Sequence, residues 1–296
     1  MSLRIGIDLG GTNVRVGLID DNGKIVEIIQ EPTEAEQGPL YIIEKMKRMI
    51  ESVIQGKRIK GIGIGAPGPL DSKNGIILSP PNLPGWDQIP LAKILEEHFR
   101  VSVYLNNDAN VAGLAEANAG SGANCESVYY VTVSTGIGGA LIINKQLFNG
   151  ANGYAGEIGN MIVEPNGYKH NNLNSGSFEG IASGTSIGRR AFEKFGIEGG
   201  AKQVFRLAEH RNAEAQLIID ETVHFLAMGI ANIAHIVNPE LFIVGGGVME
   251  SKQLILTPLK DKVKEYVFPQ LASSIRIVPA ALGGHAGVIG AAMLVD

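Results

Sequence analysis

The stretch IGIDLGGTNVRVGLID, residues 5–20, decides the fold class because it predicts two short strands joined by a glycine turn. RIGIDL (4–9) predicts a buried strand, and VRVGLID (14–20) has the apolar alternation of a second one. The tripeptide Asp21-Asn22-Gly23 predicts a hairpin turn, after which KIVEII continues as a third strand. The chain therefore begins with a strand, a glycine turn, a strand, a hairpin and a strand.

The same order of elements recurs about 125 residues later, and such a recurrence is typical of internal repeats. VYYVTVS (128–134) predicts a strand, TGIGG (135–139) a turn, and ALIIN (140–144) a second strand followed by a tight Asn-Lys turn. Repeated strand units followed by helices predict an α/β protein with two related domains.

The boundary between the two domains is expected near residues 115–124, which are small and polar. We predict an N-terminal α/β domain over 1–116 plus 287–296 and a larger C-terminal α/β domain over 117–286. The remaining predicted elements are helices over 39–55, 215–237 and 286–294 and strands over 60–65, 101–105 and 241–244.

Composition excludes several classes of protein. Of 296 residues, 45% are apolar and 19% charged, which predicts a folded globular chain. A net charge of −5 argues against a nucleic acid or a membrane as the main partner, since either favours a basic face. The single cysteine, Cys125, excludes an internal disulfide and a cysteine-cluster metal site. No leader pattern and no membrane-spanning run is predicted, so we expect a cytoplasmic protein.

The first candidate site is the turn after the first strand, Asp8-Leu9-Gly10-Gly11-Thr12. An aspartate at a strand end can face a hydrated magnesium ion, and the backbone amides after it can face a phosphate. The same residues are also compatible with an ordinary turn.

Two further glycine loops offer similar backbone. The loop from Ser134 to Gly139 repeats the phosphate cradle in the second half, and a glycine run after the strand LFIV could let an adenosine lie against backbone. This run is neither a Walker A loop nor a dinucleotide fingerprint, and it is equally compatible with a plain strand-to-helix turn. The candidate nucleotide-binding residues of these loops are Thr135, Gly136, Gly138, Gly245, Gly246 and Gly247.

The segment Asn106-Asn107-Asp108-Ala109-Asn110 follows the strand VSVYL. A carboxylate at a strand's end suits a general base that takes a hydroxyl proton during phosphoryl transfer. An Asn or Asp before AGLAEA is also a normal helix N-cap, so both readings of Asp108 stay open.

A series of stretches, in one order, resembles the ROK family of sugar kinases, within the actin-like ATPase superfamily. These stretches are IGIDLGGTNVRVGLID (5–20), GIGIGAPGPLD (61–71), PNLPGW (81–86), LNNDANVAGLAEA (105–117), VSTGIGG (133–139), NGYAGEIGN (152–160), FEGIASG (178–184), NPELFIVGGGV (238–248) and GAAML (290–294).

The resemblance implies two ribonuclease-H-like domains around a central cleft that binds ATP and a hexose, most simply glucose. Asp8 would lie near magnesium through water, and Asp108 would deprotonate the hexose 6-hydroxyl. Hydrogen bonds to the sugar would come from Gly65, Asn82, Asn107, Asp108, Glu157, Asn160 and Glu179. Glu157 and Glu179 could instead be solvated loop or cap residues.

The chain departs from the family pattern at the zinc site. The family's zinc-binding histidine corresponds to Asn160, and its three cysteines correspond to His170, Asn172 and Ser177. One imidazole without thiolates is too few zinc ligands, so we predict no structural zinc. By itself His170 is expected to be a surface loop residue.

Alternatives remain at the level of function. A sugar-responsive repressor would carry a helix-turn-helix before the first strand, and the phosphate motif here starts at residue 5. An actin-like ATPase without a sugar substrate would not need Asn107, Asp108 or the PNLPGW stretch. N-acetylmannosamine, N-acetylglucosamine, fructose, allose or a β-glucoside stay open as substrates, and polyphosphate as donor. A homodimer is common in the family.

Overall fold

The computed structural model describes residues 2–295 and divides into two compact units. The first contains the chain up to Ala123, Lys145–Ala155 and the stretch from Leu282 onward, and the second contains Asn124–Asn144 and Gly156–Ala281. The predicted domain limits at 1 and 296 lie outside the described residues. The boundaries predicted at 116/117 and 286/287 stay a prediction.

The first unit is built on a five-stranded sheet with the order β3-β2-β1-β4-β7. Its strands are β1 (Leu3–Leu9), β2 (Asn13–Asp20), β3 (Ile25–Pro32), β4 (Gly61–Ala66) and β7 (Ser102–Asn107), and the short β5 (Leu70–Asp71) and β6 (Ile76–Ile77) form a separate ribbon. β1, β2 and β3 pair antiparallel, whereas β1, β4 and β7 run parallel. The three predicted N-terminal strands and the strands after 60 and 101 are confirmed.

Helices cover the sheet of the first unit. They are α1 (Pro39–Ile54), α2 (Leu91–Phe99), α3 (Asp108–Ala119) and α10 (Ala286–Ala292). α1 begins with Pro39, whose fixed φ suits a first helical residue, and buries one apolar face that includes Met46 and Ile50. The C-terminal α10 packs against β1, β4 and α3.

Two side chains tie the later segments to the first unit. The buried Glu116 on α3 accepts hydrogen bonds from the backbone N–H groups of Leu282 and Ser121. The Lys145 ammonium donates to carbonyl oxygens just after α3, including that of Ala123 at 2.7 Å. The hairpin turn at Asn144 and Lys145, both at positive φ, leads into β10 (Gln146–Leu147).

The second unit repeats the strand pattern of the first. Its sheet has the order β9-β8-β11-β12, with β8 (Ser127–Val133), β9 (Ile137–Ile143), β11 (Leu241–Gly245) and β12 (Ile277–Pro279). β8 and β9 are antiparallel, and β8, β11 and β12 are parallel. The strand predicted over 140–144 begins earlier, at Ile137. The reason is that the turn is shorter than predicted, since the Ser134 N–H donates to the Gly136 carbonyl at 2.9 Å.

The helices of the second unit are α4 (Phe178–Ala182), α5 (Gly184–Phe195), α6 (Gly200–Glu209), α7 (Ala213–Ile236), α8 (Lys252–Lys262) and α9 (Pro269–Ala272). Short 3-10 turns lie at Ile158–Asn160 and Gly247–Ser251. Of the described residues, α7 is long and apolar enough to cross a membrane. Most of its apolar residues are instead buried in the core of this unit. The mixed α/β fold class is confirmed.

Glycine lets α10 approach the rest of the first unit closely. A Cβ at Gly290 would overlap the backbone carbonyl of Val111 on α3, and one at Gly63 would overlap the carbonyl of Ala291. By contrast, a Cβ at Gly284 would meet no atom within 4 Å. The contact between α10 and α3 therefore requires Gly290.

Gly290→Ala is expected to destabilise the protein. Alanine raises helix propensity by up to about 1 kcal/mol, but backbone overlap can be relieved only by moving the helix, which costs about 1–3 kcal/mol or more. The midpoint of thermal unfolding should fall by about 2–4 °C for each kcal/mol of net loss. The matched control, Gly284→Ala, should leave the midpoint unchanged. A Gly290→Ala protein as stable as the wild type would contradict this packing.

Candidate active site

The carboxyl ends of β1, β4 and β7 form one edge of the sheet in the first unit. Asp8 pairs directly with Gly65, and Gly65 pairs with Asn106. Ala66 pairs with Asn107, so Asp108 follows at the same edge as the first residue of α3. Parallel pairing therefore brings together candidate residues that are far apart in sequence.

Asp8 lies in a largely enclosed position at this edge. Its carboxylate accepts a 2.8 Å hydrogen bond from the Arg15 guanidinium, which is its cross-strand partner on β2. A Cβ at Gly287 would come within 2.7 Å of the Asp8 carboxyl carbon. Burial raises the pKa of Asp8, and the bond to Arg15 acts in the opposite direction. A poorly solvated carboxylate is stabilised by a nearby cation, and the Arg15 guanidinium supplies one here.

The loop Gly10–Thr12 is fixed by the segment after β3. The Thr33 hydroxyl donates to the Gly10 carbonyl at 2.6 Å, and the Thr33 N–H donates to the Thr12 carbonyl at 2.8 Å. A Cβ at Gly11 would lie 2.8 Å from the backbone oxygen of Asn82. Glycine at this position thus brings the predicted phosphate loop beside the predicted sugar ligand Asn82.

Asn107, not Asp108, is the N-cap of α3. Asn107 has extended backbone, and its side-chain oxygen accepts from the Ala109 N–H at 2.9 Å. Asp108 is the first helical residue, and its carboxylate also accepts from Ala109 N–H at 2.7 Å. The N-cap predicted as one alternative for this segment is therefore Asn107. A helix N-terminus also favours the negative charge of the carboxylate that follows the cap.

Asn106 holds this turn in place through its side chain. Its oxygen accepts from the Asn107 N–H and from the Asn110 amide, both at 2.8 Å, and its own amide donates to Asn149 at 3.1 Å. The orientation of the strand-to-helix turn that carries Asp108 is thus set by a network of amides.

In the second unit, the Thr135 loop lies beside the start of α5. The Ser134 carbonyl accepts from Gly184 N–H at 2.7 Å, and the Thr135 carbonyl accepts from Thr185 N–H at 3.3 Å. Glu179, on α4, binds the same loop, because its Oε2 accepts from the Ile137 N–H at 2.8 Å. Glu179 therefore lies beside this loop, where a Cβ at Gly136 would overlap its Oε2, and Gly138 follows as the second residue of β9.

The glycine run Gly245–Gly247 ends β11, which is parallel to β8. A Cβ at Gly246, whose φ is 90°, would overlap the backbone of Val133, and one at Gly247 would lie 3.8 Å from the Ser134 hydroxyl. Gly246 therefore allows the two predicted nucleotide loops of this unit to approach each other.

Glu157 and Glu179 influence each other electrostatically. Partial burial raises the pKa of the Glu157 carboxyl, and the negative charge of Glu179 raises it further. Glu157 in turn acts on Tyr129, where burial and then the Glu157 charge raise the phenol's pKa to about 12. Both glutamates thus belong to one cluster, in which part of the Glu157 side chain still reaches solvent.

The residues at the family's zinc positions do not form a metal site. Asn160 Oδ1 accepts from the Asn174 N–H at 2.6 Å, and Ser177 Oγ caps α4 by accepting from Gly180 N–H at 3.2 Å. The Nε2 atom of His170 lies 3.8 Å from the Oε1 atom of Glu179. Within residues 2–295 no three His, Cys, Asp or Glu side chains are grouped to hold a metal ion. With one imidazole in the set, these residues do not fit zinc.

Sequence reasoning missed two residues that hold the candidate site. Arg15 could have been found from the hairpin register, because a turn over 10–12 places it opposite Asp8. Asn149 has no such signal, since its contact with Asn106 joins segments 43 residues apart.

Each of the two α/β units has a glycine loop after its first strand and a carboxylate beside that loop. The model of the ROK family matches residues 4–296, and the chain belongs to the ROK family.

Relatives agree with this assignment along the whole chain. The chain is 34% identical to a glucokinase of Thermotoga maritima over 98% of this chain and 96% of that protein. Its fold matches a ROK hexokinase of Thermus thermophilus with a TM-score of 0.92, at 31% identity over 99% and 97% of the two chains. A ROK family glucokinase of Streptomyces griseus, solved with glucose and AMPPNP, matches with a TM-score of 0.82, at 29% identity over 99% of both chains.

Glu179→Gln is expected to lower the pKa of Glu157. The substitution removes the like charge but keeps an oxygen that can accept from the Ile137 N–H, so the loop should retain its structure. A ¹³C NMR titration of the Glu157 side-chain carboxyl measures the shift directly. Glu198→Gln, at an exposed glutamate, is the control and should leave the Glu157 pKa unchanged. An unchanged or higher Glu157 pKa in Glu179→Gln would show that the two carboxylates do not interact.

Proposed function

We propose that this protein is an ATP-dependent glucokinase that transfers the γ-phosphate of ATP to the 6-hydroxyl of glucose. The observation that carries the proposal is the Asp108 carboxylate at the carboxyl edge of a parallel sheet, with the capping of its helix assigned to Asn107. The relatedness to bacterial glucokinases at 34% identity over nearly the whole chain supports glucose as the sugar.

Asp108 acts as the general base. Transfer of a phosphoryl group to an alcohol requires the hydroxyl proton to leave, and a positioned carboxylate accepts it as the new O–P bond forms. The proton moves from the sugar's O6 to an Asp108 oxygen, and ADP is the leaving group. The amide network of Asn106 supports this role because it fixes the turn from which Asp108 projects.

Sugar binding requires directional hydrogen bonds, because glucose carries no charge. Asn82 and Asn107 of the first unit and Glu157 and Glu179 of the second supply amide and carboxylate groups for its hydroxyls. Gly65, at the same sheet edge, would hydrogen-bond the sugar through its backbone. Asn160 is proposed to act indirectly, since its side-chain oxygen already binds the Asn174 N–H.

The glycine loops bind the nucleotide. Backbone N–H groups of Gly11–Thr12 and of Thr135–Gly136 face the phosphates, because those of Gly10 and Ile137 already donate to Asn13 and Glu179. Gly245–Gly247 contacts the adenosine. Asp8 would hold a magnesium ion through water, and that ion would neutralise charge on the phosphates. Arg15 keeps the Asp8 carboxylate oriented for this contact.

The cytoplasmic location and a homodimeric assembly stay predictions. The burial of the apolar face of α7 in the core of the second unit supports a role for that helix inside the protein.

Asp108→Asn is expected to lower kcat for glucose by about 100-fold or more, since a general base contributes on that scale. Asparagine keeps the oxygen that accepts from Ala109 N–H, so the thermal midpoint and the KM for glucose should change little. Coupled ADP release measures the rate, with glucose, N-acetylmannosamine, N-acetylglucosamine, fructose and allose as acceptors.

Four outcomes of this assay decide the proposal. Turnover that is highest with glucose and that collapses in Asp108→Asn supports it. An Asp108→Asn enzyme with near wild-type kcat would remove the base assignment. ADP release by the wild type that no sugar increases would favour a plain ATPase, and a preference for another hexose would replace glucose as the substrate.

A further inference from the structure

His170 lies on a small hairpin of the second unit that precedes α4. The Gly176 N–H donates to the Tyr168 carbonyl at 2.9 Å, and Lys169 and Ser175 form an isolated bridge. At the tip of the hairpin, the Leu173 N–H donates to the His170 carbonyl at 3.0 Å. The backbone around His170 is therefore ordered by its own hydrogen bonds.

The hairpin is also fixed against the neighbouring helices. The guanidinium of Arg189, on α5, stacks on the Tyr168 ring at 3.5 Å and donates to the Gly180 carbonyl at 3.2 Å. A Cβ at Gly180 would lie 3.0 Å from the His170 Cβ, so the two backbones approach closely. His170 is thus held against the start of α4, which carries Glu179.

The imidazole of His170 faces the carboxylate of Glu179. Their Nε2 and Oε1 atoms are 3.8 Å apart, and the two side chains are 19% and 25% exposed. Glu179 Oε2 is bound to the Ile137 N–H, which leaves Oε1 as the oxygen directed at His170. The pair is partly buried but within reach of a small ligand.

The separation of the two atoms suits a bridging hydroxyl. It is longer than a direct hydrogen bond but shorter than twice the usual length of about 2.8 Å, so one oxygen can bind both. Such a hydroxyl donates its proton to Glu179 Oε1 and accepts from the Nε2–H of His170.

We propose that His170 is a specificity-determining residue that binds one ring hydroxyl of the sugar together with Glu179. The inference rests on the proposed sugar kinase function and adds a sugar ligand that the family resemblance did not supply. Asn171 Nδ2 lies 3.3 Å from the same His170 nitrogen, a long contact that Nε2 gives up when it donates to the sugar hydroxyl.

This pair would discriminate between sugars. A sugar that lacks the bridging hydroxyl leaves a partly buried carboxylate and imidazole without their shared partner, and such unpaired groups cause strong rejection. One hydroxyl of glucose should therefore depend on His170, and the others should not.

The test compares the loss caused by each His170 substitution with the loss caused by removing each sugar hydroxyl. Wild type, His170→Ala and His170→Gln are assayed with glucose and with its 1-, 2-, 3- and 4-deoxy analogues. His170→Ala should lower kcat/KM for glucose by about tenfold through KM, on the scale of a hydrogen bond to a charged pair. For one deoxy analogue, the wild type and His170→Ala should have equal kcat/KM, because that sugar lacks the hydroxyl to which His170 binds. His170→Gln keeps an N–H donor and should recover part of the loss.

Asn171→Gly is the matched control. It removes the neighbouring amide, tolerates the positive φ of 46° at this position, and leaves the imidazole in place, so its KM for glucose should stay near that of the wild type. The KM for ATP and the thermal midpoint should not change in any of these variants.

Other results overturn the assignment. An equal loss for all five sugars would show that His170 only supports the loop, and no loss for any sugar would show that it does not bind substrate. Either result with an active wild type leaves the kinase proposal intact. A wild type that phosphorylates none of the sugars would overturn both proposals.

Discussion

The structure depends on three parallel strands that end together at one edge of a sheet. Because β1, β4 and β7 pair in register, Asp8, Gly65 and Asn106 are held in one row, and backbone hydrogen bonds set their spacing. A Cβ at Gly65 would lie 2.5 Å from Val111 on α3. A side chain at position 65 would therefore press on Val111, in the helix that begins with Asp108.

The second unit uses the same strand arrangement and adds a carboxylate to its loop. Glu179 accepts a hydrogen bond from the first residue of β9, so the element that carries a proposed sugar ligand is joined directly to a proposed phosphate loop. The hairpin before α4 is held by hydrogen bonds and by the stacking of Arg189 on Tyr168. Asn160 and Ser177 each have hydrogen-bonding roles in this region, which explains how a loop without thiolate ligands can stay folded.

The repeated strands, the glycine turns and the long helices could be predicted from sequence, because each has a local signal of apolar period or turn residues. The start of β9 could not, since it depends on a hydrogen bond inside the turn at Ser134. Sequence also could not show which of Asn107 and Asp108 caps α3, because both residue types are good N-caps and the backbone geometry decides between them. The Asn106–Asn149 bond and the approach of His170 to Glu179 are tertiary contacts without a sequence period.

The central claim is that the Asp108 carboxylate takes the proton from the 6-hydroxyl of the sugar. The most direct measurement is a crystal structure of the protein with glucose and a non-hydrolysable ATP analogue. The account predicts an Asp108 oxygen within about 2.6–3.2 Å of O6, the range in which a base can accept a proton. A glucose molecule bound with O6 hydrogen-bonded elsewhere, and Asp108 in contact only with the start of its own helix, would contradict it.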